Sequence, residues 1–180
     1  MYKITFLAIA CIGLIPVSFN TSDLPNKDLT ETTQTEILLG KIDREELTEG
    51  DYAKWFDPRY EAYEVNEKAI EELSSKFKDI DITIFMGTWC GDSKRETPNV
   101  YKIFDAANVN EDQIELIAVD YNKTTPQHLE NGLDIQRVPT IIFEKNDQEL
   151  GRIVEYPIES LENDMLKILN EEDYKHAYAE

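Results

Sequence analysis

Residues 88–93 of the chain read Thr88-Trp89-Cys90-Gly91-Asp92-Ser93, and this hexapeptide is the strongest indication of the fold. It follows an apolar run at 80–86 whose β-branched residues predict a buried strand. Lys94-Arg95-Glu96 comes next and opens a helical pattern that apolar residues continue further along the chain. Cys90 is therefore predicted at the first turn of a helix, where free backbone N–H groups and the helix dipole stabilise a thiolate.

The residues beside Cys90 influence this thiolate in opposite directions. Asp92 disfavours a second negative charge nearby, whereas Lys94 and Arg95 favour it, and the sequence leaves the balance open. Ser93 has two interpretations. Its hydroxyl hydrogen-bonds the Cys90 thiolate and helps to keep it ionised, which we favour, or it is a residue tolerated in the first turn of the helix.

Three motifs together resemble the thioredoxin family. They are Trp89-Cys90-Gly91 after a strand, Pro98 within the following helix, and Val138-Pro139-Thr140 before a strand at 141–143. The resemblance covers roughly residues 52–169 and implies an α/β fold, with a central mixed β-sheet flanked by helices. It also implies that Pro98 kinks the helix and that the Val138–Pro139 bond is cis and packs opposite the sulfur, both of which proline allows.

The resemblance also implies a site. Cys90 is the expected nucleophile, with Ser93 and the helix N-terminus supporting its thiolate, and the backbone of Val138 is expected to pair with an extended partner segment. The expected substrate-binding residues are Trp89, Gly91, Val138, Pro139 and Thr140.

The chain departs from the family pattern at three positions. Ser93 stands where thioredoxins carry a second cysteine, so Cys90 has no nearby partner for an intramolecular disulfide. Ile84 and Leu116 replace the buried aspartate and lysine of the usual proton relay. Asp120 matches the aspartate that ends the next strand, and we expect it to stabilise a turn or a cap. A mixed disulfide at Cys90 would then need an external thiol for its release.

Two functional interpretations follow. The first is a thiol-disulfide oxidoreductase that acts through one cysteine, with protein or small-molecule thiols and disulfides as partners. The second is a redox-inactive module of the cell envelope that binds proteins in the groove around Trp89, Cys90 and Pro139. A Cys-Gly-x-Ser tetrad also occurs in monothiol glutaredoxins, but residues 140–149 lack the glycine pair with which those proteins hold glutathione.

Composition narrows the function further. The 180 residues are 41% hydrophobic, which suits one domain with a sizeable core. The net charge of -19 argues against nucleic-acid binding, which requires clustered lysine and arginine. His128 and His176 lack metal-ligand spacing, so we expect no metal, no cofactor and a solvent-exposed His128. A monomer is expected.

The N-terminal residues predict export. Residues 1–19 have the charged-then-apolar order of a signal peptide or lipoprotein leader, and Cys11 would tether the protein to a membrane if it is acylated. Residues 20–48 are expected to form a flexible acidic and threonine-rich linker, within which residues 36–40 form a short strand. Residues 49–180 are expected to form the thioredoxin-like domain. The expected location is the periplasm or cell envelope, secreted or lipid-anchored.

Beyond Asp120, the residue pattern predicts a helix at 126–131, strands at 140–144 and 150–154 joined by a turn at Asn146-Asp147, and a final helix at 158–169.

Overall fold

The structure is a computed structural model, and it describes residues 36–179. The predicted leader, Cys11 and residues 20–35 of the predicted linker lie outside the described residues. In chain order the elements are β1 (Gly40–Lys41), α1 (Arg44–Leu47), α2 (Gly50–Ala62), α3 (Glu67–Leu73), β2 (Asp81–Met86), α4 (Gly91–Ala106), a 3₁₀ turn (Glu111–Gln113), β3 (Ile114–Ala118), β4 (Thr140–Lys145), β5 (Gln148–Val154) and α5 (Leu161–Leu169).

The five strands form one mixed sheet in the order β1-β3-β2-β4-β5. Strands β2 and β3 run parallel, and the other neighbouring pairs are antiparallel. A parallel pair needs a long crossover, and α4 supplies it between β2 and β3. The predicted α/β fold with a mixed central sheet is confirmed.

The sheet begins inside the range predicted as linker. Gly40 pairs with Ala118 and Lys41 with Ile117, so β1 forms one edge of the sheet. The following helix α1 starts with a capping box in which Asp43 and Glu46 satisfy each other's backbone N–H groups. Residues 40–48 are therefore structured, because strand pairing and the capping box fix their backbone.

Side chains alternate across the sheet and build two cores of unequal size. On one face, Ile84, Leu116 and Ile141 join a large cluster to which all five helices of residues 36–179 contribute. We call it the helical face. The opposite face carries a small cluster of five buried residues, against which Trp89 and Cys90 pack; we call it the site face. These five residues are Phe85, Ile117, Val119, Val138 and Ile142.

The helix predicted at 126–131 is wrong, because this segment consists of turns. His128 has a left-handed backbone (φ 57°), which an α-helix does not allow. The hydroxyl of Thr125 accepts the Leu129 N–H at 2.8 Å, and the Glu130 carboxylate accepts the N–H and the hydroxyl of Thr125 at 3.0 and 2.9 Å. These bonds replace a helical ladder with side-chain acceptors.

The predicted elements after this loop are present with shifted ends. The turn between β4 and β5 is confirmed, with both Asn146 and Asp147 in the left-handed region that such hairpins require. The final helix α5 starts at Leu161 rather than 158, because the Ser160 side chain caps it by accepting the Asn163 N–H.

Candidate active site

Cys90 lies between the end of β2 and the start of α4. It is the N-cap residue of α4 and is partly exposed. Its N–H donates to the Gly87 carbonyl at 2.9 Å, and its Sγ–H donates to the Val138 carbonyl at 3.3 Å. The Val138–Pro139 bond is cis, as expected. The structure thus brings the thiol directly against the loop that the sequence assigned to partner binding.

Gly87 forms hydrogen bonds with both Ser93 and Cys90. Ser93 is fully buried, and its hydroxyl accepts the Gly87 N–H at 3.1 Å. Among residues 36–179 no hydrogen bond joins Ser93 to the sulfur, so the favoured interpretation of Ser93 is not what the structure shows. The reason is geometric: the Ser93 hydroxyl meets the end of β2, whereas the Cys90 sulfur meets the proline loop.

Gly87 is a site residue that the sequence analysis missed. Its N–H binds Ser93, its carbonyl binds the Cys90 N–H, and it is buried. A Cβ atom here would lie 2.7 Å from the Trp89 indole, closer than real contacts. Only glycine leaves room for the ring. The available signal was a glycine between the strand at 80–86 and Trp89.

Trp89 forms an aromatic surface beside the thiol. Its indole Nε1–H donates to the Val119 carbonyl at 2.9 Å, and its ring lies 4.7 Å from that of Tyr121. The Lys123 ammonium lies 5.8 Å from the Trp89 ring centre. Tyr121 is 60% exposed and was also missed, because the sequence around it reads only as a loop.

The charged residues next to Cys90 pair mainly with one another. Arg95 binds Asp92 at 2.7 Å and Glu96 at 2.6 Å, and these bonds raise the pKa of Arg95, the Glu96 contact most strongly. Lys94 lies 6.0 Å from the Trp55 ring centre. Asp92 and Arg95, which were expected to act on the Cys90 thiolate in opposite directions, thus bind each other in an ion pair.

Asp120 holds the loop that follows β3. Its Oδ1 accepts the N–H groups of Asn122 and Thr124 at 2.8 and 2.9 Å, which confirms the expected turn role. The hydrogen bond from the Thr124 backbone is the main reason that the pKa of Asp120 lies below its usual value. Glu130 in the same loop also has a lowered pKa: burial works against this, but the hydrogen bonds that it accepts outweigh burial.

The two relay positions lie inside the helical core. Ile84 and Leu116 are neighbours in the β2–β3 register, and both are buried. Their hydrocarbon side chains pack where a carboxylate and an ammonium would otherwise need to pair. The absence of the usual relay, expected from the sequence, is therefore a feature of the packed core.

The remaining substrate-binding candidates differ in exposure. Gly91 begins α4 and is exposed, with open space around it. Pro139 is buried, and its carbonyl accepts the Glu155 N–H at 2.8 Å. Thr140 is 2% exposed, and its hydroxyl donates to the Arg137 carbonyl at 2.8 Å. Thr140 therefore shapes the proline loop from inside, and its side chain does not face a partner.

His128 lies in the loop on the site face with its side chain largely exposed, 3.5 Å from the Glu130 carboxylate. In the part of the chain that the structure describes, no three His, Cys, Asp or Glu side chains are grouped so that they could hold a metal ion. Residues 36–179 also contain no helix with the length and apolar character needed to cross a membrane.

The chain matches a known protein family over most of its length. The thioredoxin family model matches residues 45–169, which is more than half of the chain. The chain belongs to the thioredoxin family. Among curated proteins, none matches it significantly.

Several solved structures show a distant likeness. Mitochondrial thioredoxin 3 from Saccharomyces cerevisiae, in its oxidised form, is 23% identical, with 47% of this chain and 76% of that chain covered and a TM-score of 0.32. Thioredoxin O2 from Arabidopsis thaliana is 16% identical, with 54% and 85% covered and a TM-score of 0.35. A protein of unknown function from Pseudomonas aeruginosa is 15% identical, with 68% and 97% covered and a TM-score of 0.39.

Proposed function

We propose that the protein is a thiol-disulfide oxidoreductase that acts through Cys90 alone. One observation carries this proposal: a partly exposed thiol caps the N-terminus of α4 and contacts the carbonyl of Val138, next to Pro139. The free N–H groups of the first helical turn favour a negative sulfur. The proline loop presents backbone groups to which an extended partner can bind.

The chemistry is a pair of thiol-disulfide exchanges. The Cys90 thiolate attacks one sulfur of a partner disulfide, a new S–S bond forms, and the second partner sulfur leaves as a thiolate with the electron pair. A thiolate from another molecule, or the released partner thiol, then attacks the mixed disulfide. Cys90 leaves as a thiolate, and the attacking thiol is oxidised to a disulfide.

Position 93 explains why the second exchange must come from outside. In a dithiol protein a cysteine at this position attacks the mixed disulfide, whereas here the side chain is a buried hydroxyl that binds Gly87. This arrangement favours isomerisation of disulfides or reduction of a glutathionylated cysteine. It also suits reduction of a sulfenylated cysteine, in which the first attack breaks the S–O bond and releases the oxygen as hydroxide, and the second exchange is the same. We also propose export to the periplasm or cell envelope, on the apolar leader at 1–19, with a lipid tether if Cys11 is acylated.

The test is the rate of disulfide exchange at Cys90 in the full chain carrying Cys11→Ser, which leaves one thiol. Excess hydroxyethyl disulfide is added, and the mixed disulfide is followed by mass spectrometry. We expect the folded protein to react at least about tenfold faster than the same chain unfolded in urea, because only the fold places the sulfur at a helix N-terminus. Cys90→Ser is the blank. Equal rates in the folded and unfolded chains would contradict the proposal. They would favour the second interpretation, a redox-inactive module that binds proteins.

A second experiment adds the missing thiol. Ser93→Cys should form a disulfide with Cys90 and should thereby reduce insulin in a dithiol-dependent reaction, which we do not expect of the parent protein. The double variant with Cys90→Ser is the matched control and should remain inactive. If Ser93→Cys forms no internal disulfide after oxidation, the groove does not have the geometry that the family resemblance implies.

A further inference from the structure

We propose that the C-terminal segment 174–178 forms part of the partner-binding surface, and that Tyr178 selects partners with an apolar residue beside the reacting cysteine. This inference rests on the proposed function, because it concerns the partners of Cys90. The segment follows α5 and lies beyond the residues that the family model matches, 45–169.

The segment is fixed at its start by a buried carboxylate. Asp164 of α5 is fully buried and accepts the Tyr174 hydroxyl at 3.0 Å. The same carboxylate accepts the N–H groups of Ile158 and Glu159 at 2.6 and 3.2 Å. One side chain thus joins the C-terminal segment to the loop between β5 and α5.

At its other end the segment reaches the proline loop. The Tyr178 ring lies 3.9 Å from the Arg137 guanidinium carbon and edge-on to Tyr156 at 6.0 Å. Its hydroxyl donates to Glu155, and this bond is the main reason that the pKa of Tyr178 is raised. The Glu155 N–H in turn donates to the Pro139 carbonyl. Two successive hydrogen bonds through Glu155 therefore connect Tyr178 to Pro139. The residue before Pro139, Val138, accepts the hydrogen bond from the Cys90 thiol.

Two exposed aromatic side chains meet at this end of the segment. Five large hydrophobic side chains of residues 36–179 are exposed: Leu39, Tyr121, Tyr156, Ile158 and Tyr178. Two of them, Tyr156 and Tyr178, pack edge-on against each other on this side of the proline loop, and we call this pair the tyrosine rim. Clustered exposed apolar side chains mark an interaction surface more than scattered ones do. Aromatic residues supply large contact area at small entropic cost.

The charges around the rim limit what it can hold. Arg137 covers one face of Tyr178, and its contact with Glu155 is long, at 3.3 and 3.4 Å. Arg137 and Glu155 nevertheless form an ion pair beside the ring, so a neutral apolar side chain can pack on the rim without breaking this pair. The occupant that fits is an extended polypeptide segment whose cysteine reaches Cys90 while a neighbouring leucine or similar residue packs on the rim.

The experiment uses two short neutral peptides, each with its cysteine activated as a mixed disulfide with thionitrobenzoate. In one peptide leucine flanks the cysteine, and in the other serine does. Attack by Cys90 forms the protein–peptide disulfide and releases one thionitrobenzoate, whose absorbance gives the rate. Both peptides are neutral, so the net charge of -19 favours neither. The protein is the full chain with Cys11→Ser.

We expect the leucine peptide to react about tenfold faster, as burial of part of one leucine side chain would give. Tyr178→Ala should reduce this ratio to about twofold or less, because both the ring and its packing on Tyr156 are lost. Tyr178→Phe is the matched control: it keeps the ring, loses only the bond to Glu155, and should retain most of the ratio. The rate with hydroxyethyl disulfide should be the same in all three proteins, since this probe does not reach the rim.

The outcomes separate the two proposals. If hydroxyethyl disulfide reacts rapidly but the two peptides react equally, or if Tyr178→Ala keeps the preference, the rim proposal is wrong and the proposed function stands. If no probe reacts faster with the folded than with the unfolded chain, the proposed function fails. The rim proposal is then tested by non-covalent binding. The Cys90→Ser protein is titrated against a fluorescent leucine peptide in which serine replaces the cysteine. Weaker binding to a Tyr178→Ala version supports it, and equal binding overturns it.

Discussion

The two faces of the sheet are built in different ways. On the helical face, five helices bury a continuous hydrophobic cluster, and the backbone bonds are those of regular helices. On the site face, the irregular segment between β3 and β4 covers a small cluster, and carboxylates and hydroxyls accept many of its N–H groups. Stability is therefore concentrated on one face, and the reactive sulfur lies on the other.

This division suits a site that must receive a partner. A loop fixed by a few side chains can change shape at a lower cost than a packed helix, and functional segments generally come from such regions. The sulfur itself remains well placed, because Cys90 is bound to Gly87, which directly follows β2, and caps α4, and both of these elements enter the main core.

Removal of a large side chain from the helical face should have the strongest effect. Phe104 is 1% exposed and packs edge-on against Phe77 at 5.5 Å. Phe104→Ala should lower the free energy of unfolding by about 3–5 kcal/mol, measured by urea denaturation. Leu133→Ala is the counterpart on the site face, where Leu133 is only partly buried, and should cost less than about 2 kcal/mol. Equal losses would contradict the division.

Substitution of Gly87 should have an intermediate effect that is centred on the site. In Gly87→Ala the new Cβ meets the Trp89 ring at 2.7 Å, so the indole must move. We expect the free energy of unfolding to fall by about 1–3 kcal/mol and the rate of disulfide exchange at Cys90 to change. Gly91→Ala is the matched control, because a Cβ there meets nothing within 4 Å, and it should be neutral or slightly stabilising. If Gly87→Ala changed neither the free energy of unfolding nor the exchange rate at Cys90, Trp89 would not be held in place by its contact with Gly87.

The smallest effect should be the dependence of stability on pH through Asp120. Its pKa is lower in the folded protein than in the unfolded chain, where it is about 3.9. Its contribution is therefore fully present above that value and is lost as the pH falls through the folded pKa. In Asp120→Asn the free energy of unfolding should change less between neutral pH and pH 3 than in the parent protein. Parallel pH curves for the two proteins would refute this assignment.

The sequence predicted the parts of the site that depend on strong local signals. The β-branched run before Cys90, the charged start of α4 and the proline after Val138 each have a physical effect that does not need the rest of the fold. The first two placed the sulfur at the helix N-terminus, whereas the position of the proline loop beside it was implied by the family resemblance; the structure shows both.

Other features depend on contacts that no local pattern reveals. The segment 126–131 has residues compatible with a helix, but Thr125 and Glu130 bind nearby N–H groups instead, and His128 takes a left-handed backbone. The Ser93 hydroxyl could bind the sulfur or the strand end, and only the three-dimensional structure distinguishes the two. Tyr178 is distant in sequence from Arg137, and nothing in the sequence indicates that the two meet.

The pair Ile84 and Leu116 has one further consequence. Neither side chain can store or transfer a proton, so the proton of the Cys90 thiol has to be exchanged on the open side of the site, next to the Val138 carbonyl. The acids and bases dissolved around the protein then act as the proton carriers. These proton transfers are much faster than the attack of the thiolate on a disulfide. The exchange rate should accordingly change with the pH of the medium but stay the same when buffer concentration is raised at constant pH.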